Sequence, residues 1–361
     1  MPDARSARLR ALAALLDGEH LDALLVSSLP NVRYLTGFSG SNALLLVTPA
    51  EALLLTDARY AEQAVHEAGD VAHVNVQTQS LWTGLWQRLP AQPVQVIGFE
   101  SAHLLHRDFQ RLLQEGGRWQ WRPTTDLVER QRERKSADEV ALIRRAGAMA
   151  TTALSRVLPQ VRPGLTELAI AGLLEHALRE AGSEGFAFPT IVASGPRSAL
   201  PHARSSDRVV EAGDFLLMDF GAIAGGYCSD ITRTVVVGRA SAEQREVHDT
   251  VREAQRLAVS GVRAGMAGRD ADALARGYIE RRGHGDRFQH SLGHGIGLEV
   301  HEAPRLARQA DAALPEGAVV TIEPGVYVPG WGGVRIEDDV HLDRSGPEVL
   351  THFPRELLEV G

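Results

Sequence analysis

Cysteine is almost missing from this chain: Cys228 stands alone among 361 residues. One thiol cannot close an intrachain disulfide, which excludes a disulfide scaffold and makes a reducing, cytoplasmic setting the expectation. Long apolar runs are missing as well. No stretch of about 18 apolar residues occurs, so no membrane span is expected. The first twenty residues, "MPDARSARLRALAALLDGEH", place arginines and an aspartate around a short apolar run and read as an amphipathic helix rather than a signal peptide. Positive charge is not in excess either. The net charge is −8 and the pI is near 6.0, so neither nucleic acid nor an anionic membrane is expected as the main partner. Low-complexity tracts and short-period repeats are lacking too.

What is present is the composition of a soluble globular protein, 44% hydrophobic and 23% charged. The length suggests two domains. In the first third, "LDALLVSS", "NALLLVT", "EALLLTD" and "VQVIGFE" read as buried strands, with helical stretches at 8–16, 59–68 and 104–115. "LPNVRYLTGFSGSN" reads as a loop. These elements predict a small α/β domain over 1–128. A charged linker follows, and then Ser136 with Glu139 three residues on, a capping-box signature. Long helices are predicted over 137–157 and 165–182, followed by strands separated by glycine turns. That order predicts an α+β domain over 129–361, with helices packed on an antiparallel sheet.

Four carboxylates stand out because of the turns between them. In "FLLMDFGAIAGGYCSDITRTVVV", Asp219 and Asp230 have their midpoint between 224 and 225. A ladder centred there sets them opposite each other, with Cβ atoms about 5 Å apart. In "AVVTIEPGVYVPGWGGVRIEDDVHL", Glu323 and Glu337 are centred on Gly330 in the same way. Each acid alone is equally at home on a surface or at a helix cap. Together, acids paired near the interior repel and take up protons unless a divalent cation lies between them. Oxygen-rich sites with one imidazole suit Mn2+, Co2+ or Zn2+, and two bridging carboxylates suggest two ions. Imidazoles come from "HSLGHGIGLEVHE", where His290, His294 and His301 are interleaved with Gly293, Gly295 and Gly297. His202, in "LPHARSSDRVVEAGD", precedes Asp219 on a neighbouring loop or strand and on its own reads as a surface polar residue. Cys228 reads as a small buried hydrophobe rather than a thiolate ligand.

The segments "MDFGAIAGGYCSDITRT", "HSLGHGIGLEVHE", "TIEPGVY" and "GGVRIEDD" together resemble the "pita-bread" metallopeptidases, in particular the Xaa-Pro branch of prolidase and aminopeptidase P. "NVRYLTGFSGSN" and "TDARYAEQA" look like that branch's creatinase/prolidase-type N-terminal domain, so the likeness spans nearly the whole chain. The resemblance implies a pita-bread catalytic domain and two divalent ions, Mn2+ first and Co2+ or Zn2+ next. It assigns the metal positions to Asp219, Asp230, His294, Glu323 and Glu337, with Asp230 and Glu337 bridging. It also implies hydrolysis of the bond before proline by a metal-activated water, with His301 hydrogen-bonding the developing oxyanion and Glu323 moving the proton. His202, His290, Tyr327 and Arg335 match substrate-side positions, and His290 reads equally as a supporting histidine.

A dipeptide with a free proline carboxylate is the expected substrate. Arg335, His202, His290 and Arg33 are candidates to bind that carboxylate. Aminopeptidase P, acting on longer peptides, is the alternative. A creatinase-like C–N hydrolase without metals and a non-catalytic pita-bread binding module are more remote, because every metal position is intact. Methionine aminopeptidase has no need of the first domain. A homodimer is expected, with "YLTGFSGSN" near the mouth of the site.

Overall fold

In a computed structural model that describes residues 4–361, the chain divides between Arg132 and Glu133 into two compact units. The first unit is built on one mixed sheet. Its strands run in the order His73–Gln77, Ala52–Asp57, Ala43–Val47, Ala23–Val26, Val96–Glu100 and Gln120–Thr124. Every residue of Ala23–Val26 and Ala43–Val47 is buried. Strands covered on both faces carry continuous apolar runs instead of alternation, which is why they read so clearly.

The loop expected at 29–42 is corrected in its first part: Leu29–Thr36 is a helix. Pro30 sits in its first turn, where a missing N–H costs nothing. Val32 and Leu35 are fully buried. Gly37 closes the helix at φ 84, the left-handed conformation favoured by glycine. Two turns are too short a window for the helical period to show against a proline and two glycines.

The second unit lays two helix pairs on two sheets. Ala137–Val157 and Glu167–Glu180 cover a sheet of Glu359–Val360, Ile231–Val237, Phe215–Phe220 and Ile191–Ser194, through Leu154, Ile170, Leu174, Met218 and Ile231. Ser136 and Glu139 form a complete capping box at the start of the first helix. Ala242–Gly261 and Gly268–Arg281 cover a sheet of Glu302–Leu306, Gly293–Gly295, Val319–Ile322, Asp338–Asp343 and Gly346–Val349, through Val251, Ala258, Ala275, Ile279 and Val340. Pairing is antiparallel except at the edge strand Glu359–Val360, which runs parallel to its neighbour.

This second helix pair is an addition to the sequence reading. It also exposes a long-range internal likeness. "VRPGLTELAIAGLLEHALREAG" begins at 161 and "VRAGMAGRDADALARGYIERRG" at 262. In both copies the same two glycines, 164 and 182 in one, 265 and 283 in the other, take positive φ. No helix among the described residues is long and apolar enough to cross a membrane.

Candidate metal centre

Two hairpins of the second unit carry the four acids. In the first, Asp219 pairs with Thr232, not with Asp230, which corrects the expected register by two residues. The cause is the turn. Gly225 and Gly226, at φ 58 and 83, fill both central positions between the paired Ala224 and Tyr227. Such a two-residue turn matches the twist of the strands. A shift of two leaves side chains on the same face, so Asp230 stays diagonal to Asp219 and both line one cavity. The second hairpin is centred on Gly330, as its sequence indicates. That centre holds for Val319–Ile322 against Asp338–Asp343 and for Gly325–Val328 against Gly332–Arg335. Glu323 and Glu337 stand at the break between these two ladders.

His294 occupies the short strand Gly293–Gly295 between Glu302–Leu306 and Val319–Ile322. A Cβ at Gly293 would collide with the Thr321 carbonyl, and one at Gly295 with the Ala303 carbonyl. The glycines therefore let two neighbouring strands close on either side of the histidine. Nδ1 of His294 lies 3.0 Å from the Gly295 carbonyl oxygen. A carbonyl only accepts, so Nδ1 carries the proton and the Nε2 lone pair is left for the cavity, 3.5 Å from Glu323 Oε1. Burial holds the imidazole down to about 4, so it is neutral at pH 7.

Asp230, His294 and Glu337 present ligand atoms that all lie within 4.8 Å of one another. Asp219 and Glu323 line the same cavity of about 820 Å³, as do His202, His290, His301 and Arg335. Oδ1 of Asp219 and Oδ1 of Asp230 are buried without a hydrogen-bond partner. Burial, then the neighbouring acids, push Asp230 and Glu337 well above the carboxylate range. Burial pushes Glu323 up to about 8. Repelling buried carboxylates, orphaned oxygens and a neutral imidazole with an open lone pair make a donor set that fits divalent cations.

The remaining candidates fall into two groups. His202 and His301 are exposed on the cavity, and the His301 ring stands edge-on to His294 with centroids 4.4 Å apart. Arg335, Tyr327 and His290 instead form a chain behind Asp219. Arg335 donates to Thr232 Oγ1 (3.1 Å), Tyr327 OH (2.8 Å), the Pro201 carbonyl (3.3 Å) and Asp219 Oδ2 (2.5 Å). Tyr327 OH donates to His290 Nε2 at 2.9 Å, and His290 Nδ1–H donates to the Ser291 carbonyl at 2.8 Å. Their polar atoms are committed to protein. Arg33 belongs to the first unit, in the helix Leu29–Thr36.

Sequence reasoning passes over three supports. Thr232 Oγ1 donates to Glu337 Oε2 at 2.6 Å. Asp339, the second aspartate of "IEDD", accepts from the Asp230 N–H at 3.0 Å. Glu167 is fully buried and accepts from Ser194 N (2.8 Å), Arg197 Nε (3.1 Å) and Ser206 N (3.0 Å), pinning the segment that bears His202. The one available signal was the second aspartate of that motif. Cys228 is buried beside Val140, Ile143 and Ile296.

Comparison with known proteins agrees with this architecture. The signature of Metallopeptidase family M24 matches residues 141–344, and that of the Creatinase/Prolidase N-terminal domain matches residues 8–134. The chain is 35% identical to the Xaa-Pro dipeptidase of Pyrococcus horikoshii over 99% of its own length and 100% of the relative's. Among solved structures, an Xaa-Pro dipeptidase from Bacillus anthracis superposes with a TM-score of 0.96 at 39% identity, covering 99% of this chain and all of that one. An X-Pro aminopeptidase from Thermotoga maritima superposes at 0.91 with 40% identity, covering 98% and 99%. The paired helices over paired sheets are the pita-bread domain, preceded by a creatinase/prolidase-type domain, and the chain belongs to metallopeptidase family M24.

Proposed function

We propose that this protein is a metal-dependent Xaa-Pro dipeptidase. The observation that carries the reading is the cavity itself, where four carboxylates converge with the open Nε2 of His294 and two buried oxygens lack any partner. In this reading Asp219, Asp230, His294, Glu323 and Glu337 hold two divalent ions, Mn2+ first and Co2+ or Zn2+ next. When bound, the ions supply Lewis acidity and a water of lowered pKa.

The side chains do the rest. Glu323 takes the proton of the attacking water as its oxygen bonds to the carbonyl carbon, and delivers it to the imino nitrogen of proline as the C–N bond breaks. His301 donates to the carbonyl oxygen as negative charge develops there. Arg335, with Tyr327 and His290 behind it, fixes Asp219. The proline carboxylate then meets donor-bearing residues that line the cavity: His202, Arg204 and Arg305. Residues 129–361 carry the chemistry and 1–128 the accessory domain. The protein works as a cytoplasmic homodimer, which sedimentation at working concentration checks.

Aminopeptidase P is the second reading, because a cavity of about 820 Å³ exceeds the needs of a dipeptide and the Thermotoga relative is named an X-Pro aminopeptidase. Hydrolysis of Ala-Pro, Ala-Pro-Ala and Ala-Pro amide by metal-loaded enzyme separates the two. A charge-assisted hydrogen bond to the free carboxylate should favour Ala-Pro by roughly ten- to a hundredfold in kcat/KM. Equal or faster cleavage of the tripeptide assigns the second reading. Activity that survives exhaustive chelation rejects both.

A further inference from the structure

Of the 38 lysine and arginine residues, one is a lysine, Lys135, and its side chain is 1% exposed. Nζ of Lys135 lies 3.3 Å from Oε2 of Glu302, whose side chain is 5% exposed. The lysine is held by regular structure. Its backbone N–H donates to the Gly317 carbonyl at 2.9 Å, and its neighbour Ser136 caps the helix Ala137–Val157.

On the other side of the pair, segment 297–302 folds around the Glu302 carboxylate. Oε1 of Glu302 accepts from the Glu299 N–H at 2.9 Å. A Cβ at Gly297 would lie 2.8 and 2.9 Å from the two carboxylate oxygens, so the acid occupies the space a side chain there would need. Gly297 N–H donates to the Glu299 carbonyl at 3.0 Å, and its carbonyl accepts from Cys228 N–H at 2.8 Å. His301 is the residue before Glu302. Its ring meets His294 edge-on and faces the cavity without a hydrogen bond of its own. Its position is therefore set by this loop.

We infer that the buried Lys135–Glu302 pair is a positioning device for His301. This rests on the reading of His301 as the oxyanion donor. Removing the ammonium, alone or together with the carboxylate, cuts the tie between the start of the helix Ala137–Val157 and the 297–302 loop. The 297–302 loop then opens toward water and carries His301 away, while Asp219, Asp230, Glu323 and Glu337 keep their own strands and loops.

The test compares Lys135→Met, Lys135→Arg and the neutral double variant Lys135→Met with Glu302→Gln, each with and without His301→Ala. The double variant keeps an acceptor for the Glu299 N–H, so it decides the matter if Lys135→Met does not fold. Expected for it are wild-type metal content, KM within about twofold and kcat lowered roughly ten- to thirtyfold, less than the 10²–10³-fold of losing an oxyanion donor. In the His301→Ala background, neutralising the pair should lower kcat no further. Lys135→Arg should recover part of the loss. A folded double variant with wild-type kcat overturns the inference, as does a loss that multiplies with His301→Ala. If the wild-type enzyme cleaves no Xaa-Pro bond, the functional reading fails and the imidazole resonance of His301 in metal-free protein decides separately. A shift in the double variant supports the positioning role, and an unmoved resonance overturns it.

Discussion

Asp219 and Asp230 are the same residue type in one cavity, yet they stand in different surroundings. Asp219 already has one oxygen on the guanidinium of Arg335, whereas Asp230 is held by burial among other acids and leans on its own backbone N–H bound to Asp339. Asp230→Asn and Glu337→Gln should therefore lower metal content more than Asp219→Asn, as read by elemental analysis after dialysis. Equal loss in all three would remove the bridging assignment. A different residue governs acid stability. His248 is 1% exposed, its Nδ1 has no partner, and burial holds it down to about 4 from the usual 6.5. The unfolded chain binds this proton before the folded one does. Stability is thus complete above about 6.5 and is lost as pH falls toward 4. Compared with His248→Gln, the wild type should lose at most about 3 kcal/mol more between pH 7 and pH 4. Denaturant titrations at both values measure the difference, and parallel pH profiles would contradict it.

At the scale of elements, the two copies of the helix start differ in one cap. Thr166 Oγ1 accepts from Ala169 N–H, while the equivalent Ala267 offers the helix Gly268–Arg281 no side-chain cap. Ala267→Ser should stabilise the protein by about 0.5–2 kcal/mol in chemical denaturation, without touching the cavity. An unchanged midpoint would mean the hydroxyl does not reach the N–H of Asp270. The same feature explains what the sequence concealed. The helix Ala137–Val157 announces itself through Ser136 and Glu139. Gly268–Arg281 has no cap and begins with a glycine whose Cβ would strike the Arg305 carbonyl, so a tertiary contact dictates a helix-breaking residue there. Ala242–Gly261 carries the capping box Ser241 and Gln244, a signal present in the letters and passed over. The hairpin of Glu323 and Glu337 was legible because one glycine marks its centre. That of Asp219 and Asp230 was misregistered because two adjacent glycines moved the centre along the chain.

At the scale of the whole molecule, two units and a cavity full of acids were legible, because buried strands and paired carboxylates leave periodic marks. The chain from Arg335 through Tyr327 to His290 was not, since its links are side-chain hydrogen bonds and the second joins residues 37 apart in sequence. Lys135 has a consequence of a practical kind. A lysine-specific endoproteinase finds one target in the entire chain, and the folded protein conceals it. Cleavage has to wait for opening, and it then yields two fragments divided between 135 and 136 and nothing smaller. The rate of appearance of that pair of bands is a clock for opening at the start of the second unit. Loading the cavity with metal should slow the clock, because a ligand bound to the native state lowers the open population. Rapid cutting of the native protein, indifferent to metal, would show that this lysine is reached without opening.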